Sequence, residues 1–138
     1  MILQKSILLA APVDRVWKAL TDPDDIRIYF FGTNTVTNWK KGSPIYFRGV
    51  WDGKDYEDKG TILTIEKPVL IRYNYWSSMS TKPDVPENYS IITYQLEKNQ
   101  QGTRLTVSQD NFDSREAYDH SSASWESVLH DLKKLVEA

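Results

Sequence analysis

The stretch from Asp113 to Ala138 constrains the fold more than any other part of the chain. Trp125, Val128, Leu129, Leu132, Leu135 and Val136 recur at three- and four-residue intervals, the spacing that lays a wide apolar stripe along one side of an α-helix. Asp113 followed three residues later by Glu116 is a capping-box variant, which predicts a helix over 114–137. At about 1.5 Å per residue, that helix is roughly 36 Å long. Ser121, Ser122 and Ser124 are mediocre helix formers, so a helix that breaks there and starts firmly near Ser122 is the alternative. Either way, a helix with one apolar side requires a broad apolar partner surface.

The rest of the chain has the length to provide it: 138 residues fit one domain, 1–138, and bury a core without staples. There is no cysteine, so a disulfide framework, a thiolate nucleophile and a cysteine metal site are all excluded. The opening MILQKSILLAAPVDR carries a short apolar run interrupted by Lys5, which fits neither a signal peptide nor a spanning helix. A cytoplasmic protein is expected. Seventeen basic and nineteen acidic side chains, in no block of like charge, suggest neither nucleic acid nor membrane as a partner.

Taken in order, residues 2–10 form a first strand that Ala11-Pro12 ends. Val13, Val16, Trp17 and Leu20 then space a short amphipathic helix. A second begins at Asp22 as N-cap with Pro23 in its first turn, burying Ile26, Tyr29 and Phe30. From Gly32 to Phe112, turn signals at Lys40-Lys41-Gly42, Asp52-Gly53, Lys67-Pro68, 77–87 and 99–102 separate six strand-like runs. Hairpin-length links without helices predict an antiparallel meander, to which the first strand adds a seventh. Alternation puts Ile45, Phe47, Gly49 and Trp51 on one face, and likewise Ile92, Tyr94 and Leu96; Leu105, Val107 and Gln109. Ile71, Tyr73 and Tyr75 share a face in the same way, but Trp76 leaves open which face of that strand is inward. The architecture is α+β: a curved seven-stranded antiparallel sheet wrapped around a long C-terminal helix, with two short helices after the first strand. The polar stretch 77–88, with two prolines, reads as a mobile loop without core residues.

Ala11-Pro12, Val16-Trp17 and Leu20-Thr21-Asp22-Pro23 after the first strand resemble the opening of the SRPBCC, or START-like, helix-grip superfamily. Trp39 with Gly42, Gly60 with Glu66 and Pro68, Gly102-Thr103 with Leu105-Thr106, and Ser124-Trp125 with Leu129 and Leu132 resemble one branch of it. That branch is named after the C-terminal domain of the activator of the heat-shock-ninety chaperone's ATPase. The resemblance implies a deep cavity between helix and sheet, used across the superfamily for lipids, polyketides, hormones and other apolar small molecules, and sometimes for their chemistry. Ser124 stands where the family usually has Gly, and Asn74 where it has an aromatic residue; both are expected to line or adjoin the cavity.

Geometry leads to the same cavity, because a straight helix cannot touch every strand of a strongly curved sheet, and the helices at 13–30 close one end. The expected wall comprises Trp17, Phe30, Phe47, Trp51, Tyr73, Tyr75, Tyr94, Leu105, Val107, Gln109, Ser121, Trp125 and Leu129. Gln109, on the apolar side of its strand, requires a protein, water or ligand partner. His120 and His130 each lie five residues from Trp125, roughly 140° around the helix, and so point away from the stripe. Asp55, Glu57 and Asp58 read as an exposed hairpin's charges. No catalytic residue, metal site or cofactor is implied.

Three functions remain: binding or sequestering a small apolar or aromatic molecule; an enzyme of cyclase, dehydratase or hydrolase type in the same cavity; and a chaperone-regulating interaction domain. The first ranks highest, since a concave aromatic interior with few polar anchors suits binding. The chaperone partner ranks last, because 138 residues leave no room for the activator's separate N-terminal domain. A monomer and a homodimer are both compatible with the sequence.

Overall fold

The computed structural model describes residues 1–138. The seven strands β1 (Leu3–Leu9), β2 (Asn34–Val36), β3 (Pro44–Trp51), β4 (Lys54–Glu66), β5 (Leu70–Tyr75), β6 (Ser90–Asn99) and β7 (Gly102–Gln109) form one sheet. Its order is β1-β7-β6-β5-β4-β3-β2 with every pair antiparallel. Only β1 is out of sequence, joining the far edge beside β7. The sheet is curved, and β4, the longest strand at 13 residues, carries a bulge between Ile62 and Thr64; such an irregularity bends the strand and increases its twist.

Local chemistry explains the elements. Asp52 and Gly53 both adopt positive φ, 52° and 75°, the pair of left-handed residues a two-residue hairpin loop demands. Trp51 therefore pairs with Lys54, and the same register places Phe47 opposite Asp58. Helix α1 (Val13–Thr21) runs into α2 (Pro23–Tyr29) through Asp22, whose side chain accepts from the Asp24 N–H at 2.8 Å. Asp25 ties the two helices, accepting from Arg15 at 2.9 Å and Lys18 at 3.0 Å.

Helix α3 (Arg115–Glu137) runs unbroken through Ser121, Ser122 and Ser124 for 23 residues, about 34 Å. Its cap is not Asp113. Ser114 accepts from the Ala117 N–H at 3.0 Å, while Asp113 pairs with Lys82 at 3.0 Å. A cap must hold extended backbone one residue before the helix, and Ser114 has that geometry, φ −153° and ψ 159°.

From Trp125 onward α3 buries Val128, Leu129, Leu132 and Val136 against the sheet and α1. Its end is fastened to β1: Lys133 donates to the Leu8 carbonyl at 3.1 Å, and the Ala10 N–H donates to Glu137 at 2.8 Å. Leu9, Ile45, Ile62, Ile71, Leu105 and Leu132 are among the most deeply buried side chains of one continuous core.

Candidate functional site

The N-terminal half of α3 has no buried side chain before Trp125. On the face that continues the stripe upstream stand Ala117, Ser121 and Ser124, all of them small. Opposite them the sheet curves away, and the space is not filled. A cavity of ≈ 610 Å³ lies there, open to solvent. Besides α3, it is walled by the β3–β4 hairpin, by β5 and the start of β6, by Gln109 at the end of β7, by the segment after α2, and by 76–88.

The floor is aromatic. Trp125, Phe30, Phe47, Tyr73 and Tyr94 form a closed circuit of ring contacts, with centroids 5.7–6.3 Å apart around it. Edge-to-face pairs dominate at Trp125, as ring quadrupoles favour. The Trp125 indole N–H donates to Gln109 Oε1 at 2.8 Å, so the buried-side glutamine finds its partner in the helix tryptophan. Gln109 lines the cavity, and its amide N–H₂ is the donor end of that side chain.

One wall is polar. Asp58 is only 8% exposed. Its Oδ2 accepts from the Tyr75 hydroxyl at 2.5 Å, and its Oδ1 accepts from the Ser78 N–H at 2.8 Å and hydroxyl at 3.1 Å. Beside it, the Tyr56 and Thr33 hydroxyls are 2.6 Å apart. The rim is apolar and exposed: Trp51 (57%), Phe31 (50%) and Met79 (50%) overhang the mouth.

The structure sorts the residues expected from sequence into two groups. Phe30, Phe47, Trp51, Tyr73, Tyr75, Gln109, Ser121 and Trp125 line the cavity. Trp17, Leu105, Val107 and Leu129 do not: all four are buried in the packed core, because α1 and the C-terminal half of α3 close onto that part of the sheet. Tyr94 belongs to the floor and borders a separate void of ≈ 20 Å³ beneath it, too small for a ligand. Ser124 lines the cavity, whereas Asn74 is turned to β4, where its Oδ1 accepts from the Thr61 N–H at 2.7 Å.

Three corrections concern residues that sequence reasoning set aside. Asp58 is a buried cavity group and not a solvated hairpin charge, because its register partner is the inward Phe47. The Asp52-Gly53 hairpin, counted outward, contains that signal. His120 is exposed, as is His130, but His120 stands on the cavity rim: the rim lies beside the helix, not beneath its stripe. The 77–88 segment is fastened at several points. Lys59 pairs with Asp84, Lys82 with Asp113, Trp76 Nε1 donates to the Lys82 carbonyl at 3.3 Å, and Asn111 Nδ2 donates to the Glu87 carbonyl at 2.8 Å. It contributes Ser77, Met79, Ser80 and Lys82 to the cavity wall.

The buried phenols of Tyr73, Tyr75 and Tyr94 hold their protons. Burial pushes Tyr94 up to about 12, and burial raises Tyr73 and Tyr29 well above the ordinary phenol value. Tyr75 is raised by burial first and then by the neighbouring Asp58 carboxylate. The folded protein thus binds protons that the unfolded chain releases near pH 10. Stability should be unaffected by these groups below pH 10 and should fall as pH rises from 10 to 12. Tyr94 alone accounts for about 2–3 kcal/mol over that interval. Urea unfolding at a series of alkaline pH values measures this.

No three His, Asp or Glu side chains converge as metal ligands, and no helix is long and apolar enough to cross a membrane. Residues 10–137 match the family described as Activator of Hsp90 ATPase homolog 1-like protein. The chain belongs to that family. ChR145 from Cytophaga hutchinsonii, known by its solution structure, resembles it with 40% identity, 99% of this chain and 94% of that one covered, and a TM-score of 0.86. DynU16, a protein of the dynemicin biosynthetic locus, matches at 18% identity and a TM-score of 0.81, over 99% of this chain and 47% of that one. The Aha1 dimer from Colwellia psychrerythraea matches at 16% identity and a TM-score of 0.78, over 99% and 96%. These last two likenesses establish the helix-grip fold alone. No curated protein matches the chain.

Proposed function

We propose that the protein binds or sequesters a small apolar or aromatic molecule in the cavity between the sheet and the N-terminal half of α3. The observation that carries this reading is the cavity itself: ≈ 610 Å³, within the roughly 300–1,000 Å³ of small-molecule sites, with an aromatic floor and a few convergent polar groups. An aromatic surface left open to water is costly unless something covers it. The place of DynU16 in a biosynthetic locus for a small molecule is in keeping with this use of the fold.

Binding is favoured over catalysis by what the wall assembles. His120 is hydrogen-bonded to no carboxylate, the Tyr73, Tyr75 and Tyr94 phenols keep their protons, and Asp58, the buried carboxylate of the wall, already accepts three hydrogen bonds, an arrangement that suits holding a ligand group more than removing a proton. The chaperone-regulating reading has no comparable feature in this chain, and the ligand-binding reading is preferred to it.

Nile red, a neutral apolar dye, tests the reading. It should bind the wild type and quench tryptophan emission, because Trp51, Trp76 and Trp125 all line the cavity. Ser121→Trp should fill the space from the helix side and lower dye affinity at least about tenfold while unfolding stays cooperative. Absence of dye binding, together with no rise in Tm across an apolar library, would overturn the reading.

A further inference from the structure

Asp58 is the charge in the cavity wall that has no counter-ion. Lys82 and Asp113 also border the cavity, but they pair with each other at 3.0 Å. None of the donors to Asp58, the Tyr75 hydroxyl and the Ser78 N–H and hydroxyl, carries a positive charge. A carboxylate taken out of water and held only by neutral donors recovers part of its lost hydration and no charge neutralisation. Its surroundings are acceptor-rich as well. Tyr75 directs its hydroxyl hydrogen at Asp58 in a hydrogen bond, so its oxygen can only accept from a ligand, and Asp58 Oδ2, with one donor, retains a free lone pair. Aromatic rings complete the pocket: Phe47 is the cross-strand partner of Asp58, and its ring lies 5.7 Å from that of Tyr75. Ring faces beside a carboxylate are an environment that attracts an organic cation twice over.

Building on the binding role proposed above, we propose that the ligand is amphiphilic, with an apolar or aromatic body over the Trp125 floor and a cationic amine head against Asp58 and Tyr75. An anionic ligand such as a fatty acid or an aryl carboxylate would set its charge against Asp58 and is disfavoured. A neutral hydroxyl-bearing ligand falls between the two, since it donates to the same acceptors without neutralising the charge.

Three naphthalenes of matched size separate these cases: 2-naphthylmethylamine as its ammonium, 2-naphthylmethanol and 2-naphthoate, each displacing Nile red at neutral pH. The expected order is ammonium, then alcohol, then carboxylate, with about tenfold or more between the first and last. Asp58→Asn should collapse that spread, with the three ligands compared as a ratio within the variant. Asp58 also anchors Ser78, so the variant could lose stability; Tyr75→Phe is therefore measured in parallel. It removes one neutral acceptor but frees Oδ2 of a competing donor and leaves the charge in place, so the ammonium should still bind ahead of the carboxylate. A role for Asp58 confined to holding the 77–80 turn would change Tm without changing the order of the three ligands. Equal affinities in the wild type, or a preference for naphthoate, would overturn the inference while Nile red binding leaves the cavity reading standing. Failure of Nile red itself to bind would instead sink the cavity reading on which the inference rests.

Discussion

Trp125→Ala is expected to destabilise the protein by about 3–5 kcal/mol, the range for removing a buried tryptophan. Trp125 is 5% exposed and joins three parts of the fold. Its ring meets Phe30 after α2 and Tyr94 on β6, each at 6.0 Å, and its indole N–H reaches Gln109 at the end of β7. Alanine removes both edge-to-face contacts, leaves Gln109 Oε1 without its donor and opens the cavity floor toward the ≈ 20 Å³ void beneath. Trp125→Phe separates these contributions. It keeps an aromatic ring but loses the indole donor, so its cost should be nearer the roughly 1–3 kcal/mol of an unpaired buried polar group. Urea unfolding of both variants gives the comparison. An alanine cost under about 1 kcal/mol would mean that the floor repacks over the gap and that Trp125 does not organise it.

The second large effect is at Gly60. A Cβ placed there would lie 1.7 Å from the Asn74 carbonyl oxygen and 2.7 Å from its carbonyl carbon. Both atoms belong to the backbone of β5, so no rotamer change relieves the clash, and β4 and β5 must separate. Next to this position, Lys59 and Trp76 exchange backbone hydrogen bonds of 2.8 and 3.1 Å, and Asn74 Oδ1 accepts from the Thr61 N–H. Gly60→Ala should therefore cost about 3 kcal/mol or more, at or beyond the upper end for overpacking. It should also draw Asp58 away from Tyr75, since one lies on each displaced strand. Gly49→Ala is the control. There the close atoms are the Tyr56 hydroxyl at 2.6 Å and two of its ring carbons at 2.8 and 2.9 Å, all on one side chain that can swing aside at the loss of its bond to Thr33, so the cost should be lower, about 1–2 kcal/mol. Comparable losses in the two variants would show that the β4–β5 approach at Gly60 is no tighter than an ordinary side-chain contact.

Particular residues show how far sequence reading extends into such a site. Alternation along β3 and β7 places Phe47 and Gln109 on the inner face, because side-chain direction in a strand has a period of two and needs no tertiary information; for β5, where Trp76 leaves either face open, the structure selects the one with Tyr73 and Tyr75. The same rule places Leu105 and Val107 on that face, yet they are packed core and not cavity wall. Alternation says which way a side chain points, not what stands opposite it. Asp58 was obscured by its neighbours Asp55 and Glu57, which do lie at the surface, although the Asp-Gly turn fixes its pairing with Phe47 by counting alone.

The sequence by itself determined the elements and their order: the apolar stripe of α3 from Trp125 to Val136, the Asp22 cap of α2, the Asp52-Gly53 hairpin and the inward face of β3, β6 and β7. All of these follow from local spacing and turn chemistry, which act over a few residues. The tertiary structure alone decided where the inner surface is filled and where it is empty. The cavity exists because small side chains at Ala117, Ser121 and Ser124 come to stand over the part of the sheet that bends away, while larger ones from Trp125 onward meet the part that does not. That match depends on the height of α3 along the strands and on the bend introduced at the β4 bulge. Both are set by the packing of the whole sheet against the helix, a sum of weak contacts between residues far apart in the chain.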